Sequence, residues 1–228
     1  MTYAVPAPAR TVLPVRGSEA VFPVGRIFCV GRNYAEHTRE MGHDPDREPP
    51  FFFMKPATSI VAGGGDMPYP PGTADLHHEM ELVAAIGTGG RDIAEGDALG
   101  HVFGYAAGLD MTRRDLQGVA KQLGRPWEVG KAFDHAAPCS PVVMASEIGH
   151  PETGAVRLHV NGELRQDGDI SEMIWSLPEV IAHISALFAL MPGDLIMTGT
   201  PAGVAAVSPG DRLEGEVEGV GRIDVKVV

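Results

Sequence analysis

The 29 glycines and 19 prolines are scattered along all 228 residues, and no other feature limits the fold as tightly. Proline inside a helix removes a hydrogen bond and clashes with the preceding turn, and glycine costs backbone entropy in any regular element. The distribution therefore predicts short elements joined by many turns rather than long helices. One compact domain is the expected organisation at this length, and no internal repeat or low-complexity tract divides the chain.

Between the turn signals the apolar residues fall into short runs. Residues 27–30 and 51–54 read as buried strands, the second ending at Lys55. Asn33 and Glu36 have capping-box spacing, which predicts a helix to Gly42 with His37 and Glu40 on one face at i and i+3. Residues 63–71 read as a turn-rich loop. Residues 76–86 are expected to form one strand, with Glu79, Glu81, Val83 and Ala85 on one side and Met80, Leu82, Ala84 and Ile86 on the other; a helix is the competing reading.

Residues 102–109 form a further predicted strand that delivers Asp110, and Thr112 is placed to cap a helix through Leu123, closed by Gly124. Asn161-Gly162 marks a hairpin between residues 156–160 and 163–165. Ser176 and Glu179 make a second capping box, and the apolar spacing predicts a helix reaching Met191 before Pro192-Gly193. After a strand at 195–198, the backbone amides of residues 199–203 could face an anion. Ile223, Val225 and Val227 then alternate with Asp224 and Lys226. The expected class is α/β of the mixed, sheet-rich kind, without a repeating βαβ order. Residues 1–20 read as an N-terminal leader or edge segment.

A formal net charge of −12 opposes binding to nucleic acid or to an anionic membrane surface. An acidic chain that binds a small anion needs a local cation, either a metal or a few placed Arg and Lys side chains. The two cysteines supply neither a disulfide framework nor zinc-ligand spacing. The N-terminal segment lacks the order of a secretory signal, and no apolar run approaches bilayer length, so a cytoplasmic location is expected.

Two carboxylates two apart on a strand project from one face and can aim at one ion. All-oxygen ligation by Glu79, Glu81 and Asp110 favours Mg²⁺, Mn²⁺ or Ca²⁺ over zinc. The bland alternatives are a solvated strand face for the glutamates and a turn role for Asp110. A carboxylate beside an imidazole strengthens it as a base, which is one reading of His37 and Glu40; an exposed ion pair is the other. Lys55 and Lys131 each sit at an element edge, placed either to neutralise an anion or simply to meet solvent. His77 and His78 point opposite ways on a strand and are at most supporting residues.

Several motifs recur in a fixed order: Val30-Gly31-Arg32-Asn33-Tyr34-Ala35-Glu36-His37, Phe53-Met54-Lys55-Pro56, His78-Glu79-Met80-Glu81-Leu82, Gly108-Leu109-Asp110-Met111-Thr112 with Arg114-Asp115-Leu116-Gln117, Lys131-Ala132-Phe133-Asp134, and Thr198-Gly199-Thr200-Pro201-Ala202-Gly203-Val204. The series resembles the fumarylacetoacetate hydrolase family from about residue 25 onward, in its single-domain acylpyruvase branch. Gly124-Arg125-Pro126-Trp127 is most similar to bacterial members that act on fumarylpyruvate.

The resemblance implies a β-roll catalytic domain over residues 21–228, a homodimer, and Mg²⁺ or Mn²⁺ held by Glu79, Glu81 and Asp110, with Ca²⁺ as a substitute. It also implies water activation by His37 with Glu40, enolate stabilisation by Lys131, and substrate contacts from Arg32, Lys55, Arg114, Gln117 and Thr200. The implied reaction is hydrolysis of the carbon–carbon bond of an acylpyruvate, a small 2-oxo acid, giving fumarate and pyruvate from fumarylpyruvate. The same electron sink would serve a decarboxylase or isomerase acting on oxaloacetate or a related dioate. A non-catalytic protein gripping a metal-chelated dicarboxylate is the alternative of another class; it would need the ligands but not His37 or Glu40.

Overall fold

The computed structural model describes residues 3–36 and 48–228. Its centre is a mixed sheet of eight strands. From one edge the order is Phe51–Lys55, Ile27–Gly31, Leu195–Met197, Met80–Ile86, Val102–Leu109, Ala137–Cys139 and Ile60–Ala62, with Val143–Met144 also pairing to Val102–Leu109. Five further strands form a second sheet in the order Glu163–Asp169, Ala155–Val160, Arg212–Val217, Gly221–Val227 and Gly65–Met67. The result is the sheet-rich mixed fold expected, with few helices.

Met80–Ile86 is buried along its whole length on both faces. Met80, Leu82, Ala84 and Ile86 enter a core shared with the helix Leu177–Leu187 and with Val156, Leu158 and Leu213 of the second sheet. Val83 and Ala85 face a second core built with Leu13, Val15, Phe22 and Val24, where Val12–Pro14 pairs with Val21–Pro23. The predicted alternation is therefore correct, but neither side meets solvent. Side chains alternate along a strand, so a one-residue slip would carry Glu81 into the apolar core, and the cost of an unpaired buried carboxylate fixes the register.

Several predicted boundaries change. Residues 76–86 are two strands, because Leu76–His77 leaves the central sheet to pair with Thr112–Arg113 and Ala206–Val207. At the break, Gln166 takes the place of a neighbouring strand: its Oε1 lies 2.9 Å from His78 Nδ1 and accepts the Met80 N–H at 3.0 Å. Thr112 caps no helix. Its hydroxyl is directed at Glu79 Oε1 (3.1 Å), and the helix begins two residues later as Arg114–Gln122.

The Ser176–Glu179 capping box forms, but its helix ends at Leu187. Phe188 turns extended and its ring lies 5.3 Å from that of Phe28, a contact that helical continuation to Met191 would forfeit. Asn33 does not cap either: its amide donates to Trp175 O and Thr198 O and accepts the Trp175 N–H. The predicted helix through Gly42 lies beyond Glu36 outside the described residues. Within the expected loop at 63–71, Gly65–Met67 pairs parallel to Gly221–Val227, and Met67 is buried in the core with Val225 and Val227. The Asn161-Gly162 hairpin is present, with both residues at positive φ as a tight two-residue turn requires.

Candidate metal centre

Antiparallel pairing sets Met80 opposite Leu109, and one step beyond that pair Asp110 N–H donates to Glu79 O at 2.8 Å. Strand register thus brings together residues far apart in the chain. Glu79, Glu81 and Asp110 each present a carboxylate oxygen within 4.8 Å of the others, and all three are buried.

Three cations pair with two of the three carboxylates, Glu79 and Asp110. Lys131 Nζ donates to Glu79 Oε2 at 2.8 Å and to Asp110 Oδ2 at 2.7 Å. Lys55 Nζ lies 2.8 Å from Asp110 Oδ1 and also donates to Met111 O and Lys131 O. Arg114 Nη2 donates to Glu79 Oε1 at 2.6 Å, while its Nη1 donates to Gln117 Oε1 at 2.8 Å. Glu81 is held from the other side by the Gly199 N–H at 2.8 Å. Burial opposes the charge of Lys131, but Asp110 and Glu79 together hold its ammonium above the ordinary lysine value. Burial, and then the Asp110 and Glu79 carboxylates, push Glu81 well above the usual carboxylate range, against the lowering effect of Gly199 and Lys131.

These carboxylates line a narrow cleft with an interior volume of about 30 Å³. Arg32, Arg114, Gln117, Lys131 and Thr200, all expected from the sequence, line it. Lys55 is fully buried behind Asp110 and is not part of that lining. Thr200 is oriented by two bonds, donating to Met80 O and accepting from Gln166 Nε2, each at 2.8 Å. His37 and Glu40 lie outside the described residues.

Sequence reasoning missed Lys121 and Phe53 in the cleft wall, the Thr112 hydroxyl on Glu79, and Gln166 behind Thr200. Lys121 had a usable signal: it stands seven residues after Arg114 and four after Gln117, on the same helix face. Gln166 had none, because its partners are all distant in sequence.

The donor set fits a hard divalent cation. Three carboxylate oxygens converge with no sulfur or imidazole among them, and a cation would oppose the burial and like charges that push Glu81 up.

Residues 26–228 match the family model for the fumarylacetoacetate (FAA) hydrolase C-terminal domain. The chain belongs to the fumarylacetoacetate hydrolase family. This family member is 46% identical over 189 residues to a fumarylpyruvate hydrolase of a Ralstonia species, covering 82% of the chain and 98% of the relative. It is 42% identical over 201 residues to a mitochondrial oxaloacetate tautomerase of Bos taurus, covering 88% of the chain and 90% of the relative. Among solved structures it is similar to fumarylpyruvate hydrolase from Pseudomonas aeruginosa in complex with Mn²⁺ and pyruvate, at a TM-score of 0.97 and 51% identity, over 100% of this chain and 99% of that one.

Proposed function

We propose that this family member is a metal-dependent hydrolase that cleaves the carbon–carbon bond of an acylpyruvate, converting fumarylpyruvate to fumarate and pyruvate. The observation that carries this reading is the buried Glu79–Glu81–Asp110 trio at the floor of a cation-lined cleft. The similarity to a fumarylpyruvate hydrolase solved with Mn²⁺ and pyruvate supports it. The reading includes a homodimer in the cytoplasm and use of either Mn²⁺ or Mg²⁺, with Ca²⁺ as a substitute.

Glu79, Glu81 and Asp110 would hold the cation, which supplies Lewis-acid polarisation of the 2-oxo acid end. Lys131 fixes the orientation of Glu79 and Asp110 and offers a buried positive charge where the departing pyruvate becomes negative. Lys55 stands behind Asp110 and holds its carboxylate in place through an ion pair at 2.8 Å, a positioning role. Arg114, locked between Glu79 and Gln117, and Thr200, locked between Met80 and Gln166, shape the walls for the planar head of the substrate. Arg32 contributes a further cation at the wall. In this reading His37 takes the proton from a water that adds to the distal carbonyl, and Glu40 offsets the imidazolium charge.

The test follows loss of diketone absorbance and appearance of pyruvate for several acylpyruvates, with Mn²⁺, Mg²⁺ or chelator present. Metal-dependent cleavage is expected, and absence of it with every acylpyruvate would sink the hydrolase reading. The 42% identity to an oxaloacetate tautomerase favours a second reaction on the same trio. His37→Ala is expected to abolish hydrolysis; tautomerisation of oxaloacetate that persists in that variant would assign the two reactions to separate groups.

A further inference from the structure

The cleft is graded from floor to rim. The three carboxylates and Lys131 at its floor are buried, whereas Arg32, Lys121 and Trp127 at its rim are only partly so. Arg114, Gln117 and Lys121 occupy positions i, i+3 and i+7 of the helix Arg114–Gln122, so they stack along one of its faces. Arg114 is anchored at the floor by Glu79, and the helical rise of about 1.5 Å per residue carries Lys121 about 10 Å further along the axis.

Lys121 itself has no hydrogen bond or ion pair among the described residues. Its Nζ lies 5.0 Å from the centroid of the Trp127 ring. Burial first, then the like charges of Arg114 and Arg32, push its ammonium down to about 8; Lys131 adds to this and Glu79 opposes it. A half-buried lysine set among cations and paired with no carboxylate among the described residues is a poor arrangement for the free protein. It suits an anion arriving from outside.

We infer that Lys121 binds the terminal carboxylate of the substrate, so that the cleft is built for a 2-oxo acid carrying a second anionic group at its far end. This rests on the reading of the floor as the seat of the 2-oxo acid head. The Arg114–Gln117–Lys121 face is one wall of the cleft, and an extended seven-carbon dioate chelated at the floor and lying along it brings its second carboxylate toward Lys121. A neutral tail would leave the Lys121 ammonium without a carboxylate. Lys121 is thus a specificity-determining residue, acting on the tail and not on the bond that breaks.

Equilibrium binding to the Mn²⁺-loaded full chain tests the assignment without turnover. The ligands are 2-oxoheptanedioate and 2-oxoheptanoate, equal in length and differing only in the terminal carboxylate. Wild type is expected to prefer the dioate, Lys121→Met to reduce that preference about tenfold or more, and Lys121→Arg to keep most of it. No preference in wild type, an unchanged preference in Lys121→Met, or equal weakening of both ligands would overturn the inference. If wild type prefers the dioate through Lys121 yet fails to hydrolyse fumarylpyruvate, the rim assignment is supported and the proposed reaction is the part that fails.

Discussion

The ammonium of Lys131 is buried between two carboxylates, 2.8 Å from Glu79 Oε2 and 2.7 Å from Asp110 Oδ2. Breaking a buried ion pair from one side leaves the other charge unsolvated, so Lys131→Met is expected to cost about 3–5 kcal/mol in the metal-free protein by urea denaturation. Excess Mn²⁺ is expected to restore more stability to the variant than to wild type, because the cation answers the same oxygens. A variant as stable as wild type without metal would show that the pairing is not part of the fold's support. The carboxylate trio was legible at this scale because acidic residues at the ends of apolar runs are conspicuous. Roles set by distant partners were not: Thr112 looked like a helix cap, since nothing local reveals that Glu79 draws its hydroxyl away.

Elements place the trio more than any single side chain does. The segment after Leu195–Met197 turns at Gly199 with φ +98°, and a Cβ there would lie 2.8 Å from the Asn33 Cβ. That turn aims the Gly199 N–H at Glu81, while Thr198 O is held by the Asn33 amide. Gly199→Ala is therefore expected to destabilise the protein by about 1–3 kcal/mol and to weaken Mn²⁺ binding, read by denaturation and by calorimetric titration. Unaltered metal affinity in a destabilised variant would separate the loop's structural role from its hold on Glu81. Strand positions were predicted well because alternation and bounding Gly and Pro are local signals. The split at His78-Glu79 was hidden, since it depends on a glutamine 88 residues away, and the early end of the helix Leu177–Leu187 on the contact between Phe188 and Phe28.

Across the whole molecule, the two cysteines report on the central sheet. Cys29 and Cys139 lie in the core beside Met197 and Val83, and burial raises both thiols, Cys139 to about 12 with Glu81 adding to it and Lys55 opposing. A thiol that is both protonated and shielded does not react. With metal stripped by chelator, neither is expected to react with an aromatic disulfide reagent at pH 8 until urea unfolds the chain, when both react together. Labelling below the unfolding transition would show that the sheet opens without its cation. The sheet-rich class and the site strands could be read from sequence. Which sheet packs on which face could not, because the segment holding Leu13 and Val15 is fixed on the core by the bridge from Val15 to Val142, far along the chain.

The lysine and arginine charges paired with Glu79 and Asp110 also fix an order of assembly. A ligand set that neutralises itself does not need its ion in order to fold, unlike small domains whose metal is the core. Newly made chains can then wait, folded, for whichever divalent cation the cell supplies, so that metal identity follows from availability after folding. The same enzyme would answer to a manganese-rich or a magnesium-rich interior without a change of sequence.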